Sequence, residues 1–305
     1  MPFSHHSHSG QFCGHAVDTL EDVLQAAIRK QLKVYSFTEH IPRDEADFYP
    51  EEIASSETRA TLFKLFDDYY HEACRLRDKY KSQITVLIGF EIDWIRPSSR
   101  TIIAELLQSY SFDFFVGSIH HVHTHIIDGL ASNYEKATIA SGGSEELLYR
   151  DYYDAQFEML VELKPTVVGH FDVITLRSKA RSANLHTKKD IWERIVRNLR
   201  YIHEYGGALE INSASLRKQM NTPYPHPDIC KEFLRIGGRF VLSDDSHGVS
   251  QVALDYPKVR RFLENTGIKT IYYVKPNGDA PPKGLSPCCL EPVEVAALRD
   301  HPSWA

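Results

Sequence analysis

The chain has 305 residues, 42% of them hydrophobic and 25% charged, with a formal net charge of −6, an ordinary globular composition. The charge argues against a nucleic-acid binder held by a general basic surface, and no run approaches the roughly 18 apolar residues that a membrane helix needs. The five cysteines, Cys13, Cys74, Cys230, Cys288 and Cys289, form no CxxC pair and no apolar signal stretch opens the chain, so a soluble cytoplasmic protein is expected.

The first residues read MPFSHHSHSG, with the histidines spaced His6-x-His8 behind Pro2 and Phe3, unlike the uninterrupted run of a purification tag. PFSHH is predicted as a short first strand. An extended segment puts side chains i and i+2 on one face, so His6 and His8 can converge on one ion. A helix is predicted over Thr19–Gln31, with Thr19 as N-cap and Glu21 and Asp22 in the first turn. Leu32–His40 then reads as a buried strand whose polar residues gather at its C-terminal end.

That combination recurs. Ile84–Asp93 ends in Glu91 and Asp93, Phe112–Val122 in His120 and His121, and Pro165–Val173 in His170 and Asp172. Gly207–Ser215 ends in Glu210 and Asn212, and Arg239–His247 in Asp244, Asp245 and His247. Helical stretches such as Glu145–Leu163 and Lys188–Gly206 lie between the strands. Gly267–Val274 reads as a further strand, residues 275–292 as a Pro/Gly-rich loop, and Pro292–Arg299 as a short terminal helix. Alternating strands and helices predict an α/β fold with a parallel sheet. A closed TIM-like barrel is the form that brings every C-terminal strand end to one face, where such barrels carry their active sites. One domain over residues 1–305 is expected.

Imidazoles and carboxylates at one mouth suit Zn²⁺, Mn²⁺ or Fe²⁺. The candidate ligands are His6, His8, His15, His40, Glu91, His120, His170, Asp245 and His247. These are too many for one ion, so two or three divalent ions are expected, with Glu91 able to bridge; close metal pairs are characteristic of phosphoester hydrolysis. At most one residue of the run HHVHTH, His120, is expected to be a ligand, with His121, His123 and His125 in loop or supporting roles. His71, His186, His203, His226 and His301 read as ordinary surface or helix residues. Glu39 and Asp172 either orient imidazoles or cap helices. Cys13 is left out of the ligand set because the count does not need its thiolate.

In order along the chain, His6-x-His8, CGHA at His15, TEH at His40, GFEID at Glu91, GSIHH at His120, GHFD at His170 and DDSH at Asp245 and His247 resemble the motifs of the polymerase and histidinol phosphatase (PHP) superfamily of metal-dependent phosphoesterases. Within it the likeness is to the monofunctional histidinol-phosphatases of fungal type. The motifs span residues 6 to 247 of the chain. The resemblance implies a distorted (β/α)₇ barrel, a trinuclear centre and hydrolysis of L-histidinol phosphate to L-histidinol and phosphate in histidine biosynthesis. It also implies one ion on His6, His8, Glu91 and Asp245, a second on Glu91, His120 and His170, and a third on His15, His40 and His247. Many members carry an aspartate two residues before HxH; Ser4 stands there in this chain.

The catalytic assignments are Glu91 as the bridge and Asp245 or His247 assisting departure of the alcohol. Arg217 and Arg177, beyond strand ends at the active face, are expected to grip phosphate through their planar forks, as the resemblance also implies; Lys179 and Arg181 compete with Arg177. The substrate's ammonium and imidazole call for an acidic wall, for which Asp44, Glu45 and Asp47 are candidates. No nucleic-acid or membrane partner is expected. The rival readings are a PHP phosphoesterase acting on another small phosphomonoester or nucleotide, and a non-catalytic zinc-binding protein. Scattered cysteines weigh against the latter.

Overall fold

The computed structural model describes residues 2–179 and 185–304; Arg181 lies outside them. Short runs of Val, Ile, Leu and Phe, buried on both faces, form the strands, as expected where helices cover a parallel sheet. Phe3–Ser4, Val34–Phe37 and Thr85–Ile88 pair in that order, all parallel. A second sheet runs in the order Glu91–Asp93, Val116–Ser118, Val167–Val168, Ala208–Asn212, Arg239–Ser243, Thr270–Pro276 and Cys288–Glu294. Its pairs are parallel up to Thr270–Pro276, and only the last is antiparallel.

The two sheets meet twice. On one side His40 bridges Glu91 in parallel; on the other Ser7 bridges Ser246. Beside the second contact the His5 N–H donates to the Leu242 carbonyl at 3.0 Å and the His8 N–H to the Ser246 carbonyl at 2.7 Å. Thr85–Ile88 and Glu91–Asp93 are separated by Gly89, where a Cβ would stand 2.6 Å from the Phe114 carbonyl oxygen. Only glycine allows the chain so close, and the passage shifts Glu91 into the second sheet.

The first helix runs Leu20–Arg29, with Thr19 accepting the Asp22 N–H as predicted. Arg59–Tyr80 is started by Thr58 and Glu145–Leu163 by Ser144, each through its side chain, while Gly206 ends Lys189–Tyr205 at φ 83°. Among the described residues no helix is long and apolar enough to cross a membrane.

The C-terminal expectation needs correction. Residues 275–292 are not one loop: Cys288–Glu294 is a strand, paired antiparallel with Thr270–Pro276 from Thr270↔Glu294 to Pro276↔Cys288. Pro292 misled the sequence reading, yet proline is tolerated on an edge strand, where an outward N–H is not needed. The predicted helix over Pro292–Arg299 is only a 3₁₀ turn, Val295–Leu298.

Candidate metal centre

Alternation along the extended segment that follows Phe3–Ser4 decides which histidines face the centre. His6 and His8 are fully buried with ring centroids 5.1 Å apart. His5 packs edge-on against Phe3 and Phe114. Its Nε2 accepts the Val274 N–H at 2.9 Å, and its Nδ1 lies 3.2 Å from the Leu242 carbonyl, to which it donates in the complementary tautomer. Burial pushes the His5 pKa down to about 4, so this imidazole is a neutral core residue.

Glu91, 1% exposed, stands at the middle with its two oxygens facing different groups. Oε2 lies 3.2 Å from His6 Nε2, 3.4 Å from His8 Nε2 and 3.1 Å from His40 Nδ1. Oε1 lies 3.1 Å from His170 Nε2 and 3.5 Å from His120 Nε2, and those two nitrogens are 3.1 Å apart. Asp245 Oδ1 closes the first group, 3.6 Å from His8 Nε2 and 3.8 Å from His6 Nε2. A further group joins Cys13, His15, His40 and His247, with one donor atom from each lying within 4.8 Å of the others.

This donor set fits divalent cations. His6 Nε2, both ring nitrogens of His8 and His40 Nδ1 are buried with no hydrogen-bond partner, although carboxylate oxygens lie 3.1–3.4 Å away. Such atoms are close to oxygen but misaligned for hydrogen bonding. Their separations approach the roughly 3.3 Å edge of a tetrahedron of N and O ligands about 2.0–2.1 Å from zinc.

The electrostatics follow from packing. Burial would raise the Glu91 and Asp245 carboxyls, but the imidazoles around them, with Arg217 beside Asp245, hold both well below the usual carboxylate range. Burial also opposes charge on His6, yet Glu91, Glu210 and Asp245 lift its pKa well above the ordinary value. The same balance takes His8 up to about 8, through Glu39 and Glu91, and His120 up to about 10, through Glu91 and Asp93. Burial and neighbouring imidazoles push His40 and His247 well below the usual range.

Carboxylates behind the imidazoles hold them. Glu210 reaches His6 Nδ1 at 3.2 Å and accepts the His170 N–H at 2.6 Å and the Asn212 amide at 2.6 Å. Asp93 takes His121 Nδ1 at 2.7 Å, the His120 N–H at 3.2 Å and the Tyr49 hydroxyl at 3.0 Å. Glu39 lies 3.4 Å from His8 Nδ1 and accepts both the N–H and the hydroxyl of Ser9. Asp245 adopts φ 48°, a left-handed conformation that costs energy outside glycine. Arg217 braces that turn by donating to the carbonyls of Asp244 (2.8 Å) and Asp245.

A cavity of about 610 Å³ opens over the cluster, its wall including Arg177, Arg217, Lys218, Glu51, Asp128 and Asp245. The sequence model of the PHP domain matches residues 4–214, which take in seven of the nine predicted ligands and more than half of the chain. The chain belongs to the PHP domain family. A protein of Schizosaccharomyces pombe named probable histidinol-phosphatase is 42% identical over 281 residues, covering 92% of this chain and 91% of its own. The histidinol-phosphatase of Saccharomyces cerevisiae is 34% identical over 335 aligned positions, with 99% of each chain covered. A solved structure of histidinol phosphate phosphatase from Lactococcus lactis, complexed with zinc, L-histidinol and phosphate, covers 89% of this chain and 95% of its own with a TM-score of 0.68. At 21% identity that last likeness concerns the fold.

In this PHP domain the structure brings the nine predicted ligands together at one mouth; His6, His8, Glu91, His120, His170 and Asp245 are buried there, His40 and His247 half-buried and His15 exposed. Cys13, left out of the sequence reading, joins the third. Asp44, Glu45 and Asp47 do not form the acidic wall: Asp44 pairs with Arg59 at 3.0 Å and Asp47 with Arg96, which turns them away from the cavity. The short helix that follows, Pro50–Ala54, contributes Glu51 to the wall, where it also meets His15 Nδ1 at 2.9 Å, and Asp128 joins it. Asp172 neither orients a ligand nor caps a helix through its side chain; it accepts the His226 N–H at 2.8 Å. His226 is no plain surface residue either, since its ring accepts the Asp228 N–H and caps Pro227–Arg235. Glu210 and Asn212 were visible as a polar strand end, but only the fold shows that the carboxylate supports two imidazole positions at once.

Proposed function

We propose that this chain is a metal-dependent histidinol-phosphatase, hydrolysing L-histidinol phosphate to L-histidinol and phosphate in histidine biosynthesis. The single observation that carries the site assignment is Glu91, whose two oxygens are divided between His6, His8 and His40 on one side and His120 and His170 on the other. A buried carboxylate so placed is built to lie between two cations. The proposed first ion takes His6, His8, Glu91 and Asp245, the second Glu91, His120 and His170, and the third His15, His40 and His247. Zinc, iron and manganese all suit these ligands. When bound, such ions supply Lewis acidity and lower the pKa of water toward neutrality.

The protein's own groups do the rest. Arg217, Arg177 and Lys218 bring positive charge to the cavity wall where the phosphate sits. Glu51 and Asp128 face the ammonium and imidazole of the substrate. Asp245 and His247, on the loop at the cavity floor, would assist departure of the alkoxide by holding the positive charge that meets it, not by donating a proton, since both groups are held below their usual pKa. Glu210, Asp93 and Glu39 keep the imidazoles in register.

The contacts His40–Glu91 and Ser7–Ser246 support closure of the two sheets into a distorted seven-stranded barrel, with Thr85–Ile88 and Glu91–Asp93 counted as one interrupted strand. The fully buried Trp304, packed on Tyr256, supports one domain running to the C-terminus. Unpaired thiols at all five cysteines fit a cytoplasmic setting. The deciding assay compares metal-loaded protein on L-histidinol phosphate, a nucleoside monophosphate and a single-stranded oligonucleotide. A strong preference for the first is expected; kcat/KM on either of the others equal to or above it overturns the substrate assignment.

A further inference from the structure

We infer that Cys13 is a metal ligand, completing with His15, His40 and His247 a thiolate-bearing third site unlike the other two. The inference rests on reading the mouth as a multinuclear centre and concerns the chemistry of one position within it.

Cys13 is 7% exposed and sits in a tight turn, where the Ser9 carbonyl accepts the N–H groups of both Phe12 (3.1 Å) and Cys13 (2.9 Å). The turn brings Sγ to 3.3 Å from His15 Nε2. Around zinc, a sulfur at about 2.3 Å and a nitrogen at about 2.0–2.1 Å stand roughly 3.6 Å apart in a tetrahedron, so the observed spacing suits two ligands of one ion. Three imidazoles from three other points of the chain converge on the same spot. The rings of His15 and His40 are 5.3 Å apart, and those of His15 and His247 5.1 Å. Buried His40 Nδ1 lacks a hydrogen-bond partner. One sulfur and three nitrogens within 4.8 Å of one another make a Cys–His₃ set, whose soft thiolate and imidazoles suit zinc.

The consequence is a centre with unequal tastes. The sites around Glu91 offer only imidazole and carboxylate, which manganese, iron and zinc all accept, whereas a thiolate selects the softer ion. The third position is therefore zinc-selective even in protein loaded with another metal elsewhere.

Cobalt(II) tests this without reference to turnover. Metal-free protein is titrated with cobalt(II) under reducing, anaerobic conditions and followed in the near ultraviolet. One of the bound equivalents is expected to bring a sulfur-to-cobalt charge-transfer band. Cys13→Ser loses that band while Cys289→Ser keeps it, and Cys13→Ser gives up one zinc per chain to a chelator at lower concentration than the wild type does. Several cobalt ions bound to wild type with no such band overturn the inference and leave the multinuclear reading standing, whether or not Cys13→Ser folds. A band that survives in folded Cys13→Ser overturns it as well. Failure of wild type to bind more than one ion overturns the multinuclear reading itself.

Discussion

The mouth of the strands and the flank where Leu20–Arg29 meets Arg59–Tyr80 are both crowded with charge, but only one of them is complete as a protein. On the flank Glu21 takes Arg75 at 2.9 Å together with Lys79 and the Tyr80 hydroxyl. These groups are partly open to water, Arg75 and Lys79 by half of their side chains. At the mouth the groups are buried, and several imidazole nitrogens approach carboxylates without bonding to them. Buried polar atoms left in that state are costly. The flank shows what charge looks like when arranged for the fold; the mouth shows charge arranged for a guest that carries charge of its own.

The strongest way to break this contrast is Glu91→Gln. If the carboxylate spans two ions, kcat should fall by about 10²–10³ on removing that preorganised charge, and metal content should drop. Full metal occupancy with near wild-type turnover would mean Glu91 is an ordinary buried acid. Arg217→Ala comes next. Losing a charge-assisted contact of about 1.5–3 kcal/mol predicts a 10- to 100-fold lower kcat/KM. Since Arg217 also braces the Asp244 and Asp245 carbonyls, kcat should fall as well, whereas Arg177→Ala, whose guanidinium reaches the Asp128 carbonyl at 3.4 Å among the described residues, should raise KM alone. Equal kinetic signatures for the two variants would remove the bracing role.

Glu210→Gln sharpens the comparison from behind the ligands. Its amide oxygen can still accept a hydrogen bond, so metal affinity should weaken by about tenfold, the lower end of what such supporting groups are worth; competition with a chelator measures this. Glu21→Gln is the flank's counterpart and the mildest change. It should lower Tm by about 1–3 °C and leave metal content and turnover alone. Lys79, Tyr80 and Arg75 hold the Glu21 carboxyl down to about 2 from an ordinary 4.5. Its contribution is therefore fully present above about pH 4.5 and lost as the pH falls toward 2, so the stability gap between variant and wild type should close over that window. A gap that stayed constant there would contradict the pairing.

Much of the mouth was legible in the sequence because most of the candidate ligands sit where an apolar run ends, and the 2-residue alternation of His6-x-His8 survives folding intact. The supporting residues were less legible. Glu210 serves His6, more than two hundred residues away, and no local pattern announces such a partnership. The acidic loop failed for a related reason: Asp44 and Asp47 found arginines on Arg59–Tyr80 and at Arg96, choices made by tertiary neighbours. Cys13 was set aside by counting ligands, and counting ignores direction. At the C-terminus, proline and glycine density outweighed the half-buried pattern of Cys288–Glu294, because an edge strand tolerates what an inner strand forbids.

The hydrogen bond from His5 to Leu242 joins residues 237 positions apart, and it sets a timetable. The histidines of the first strand leave the ribosome early, while Asp245 and His247 arrive near the end of synthesis. At about 5–20 residues per second the interval is roughly 10–50 seconds. Throughout it the earliest imidazoles lack their second neighbour, Arg239–Ser243, and their full set of carboxylates. Helices and local pairs can form in that time, but the centre cannot be complete until the two ends of the polypeptide meet.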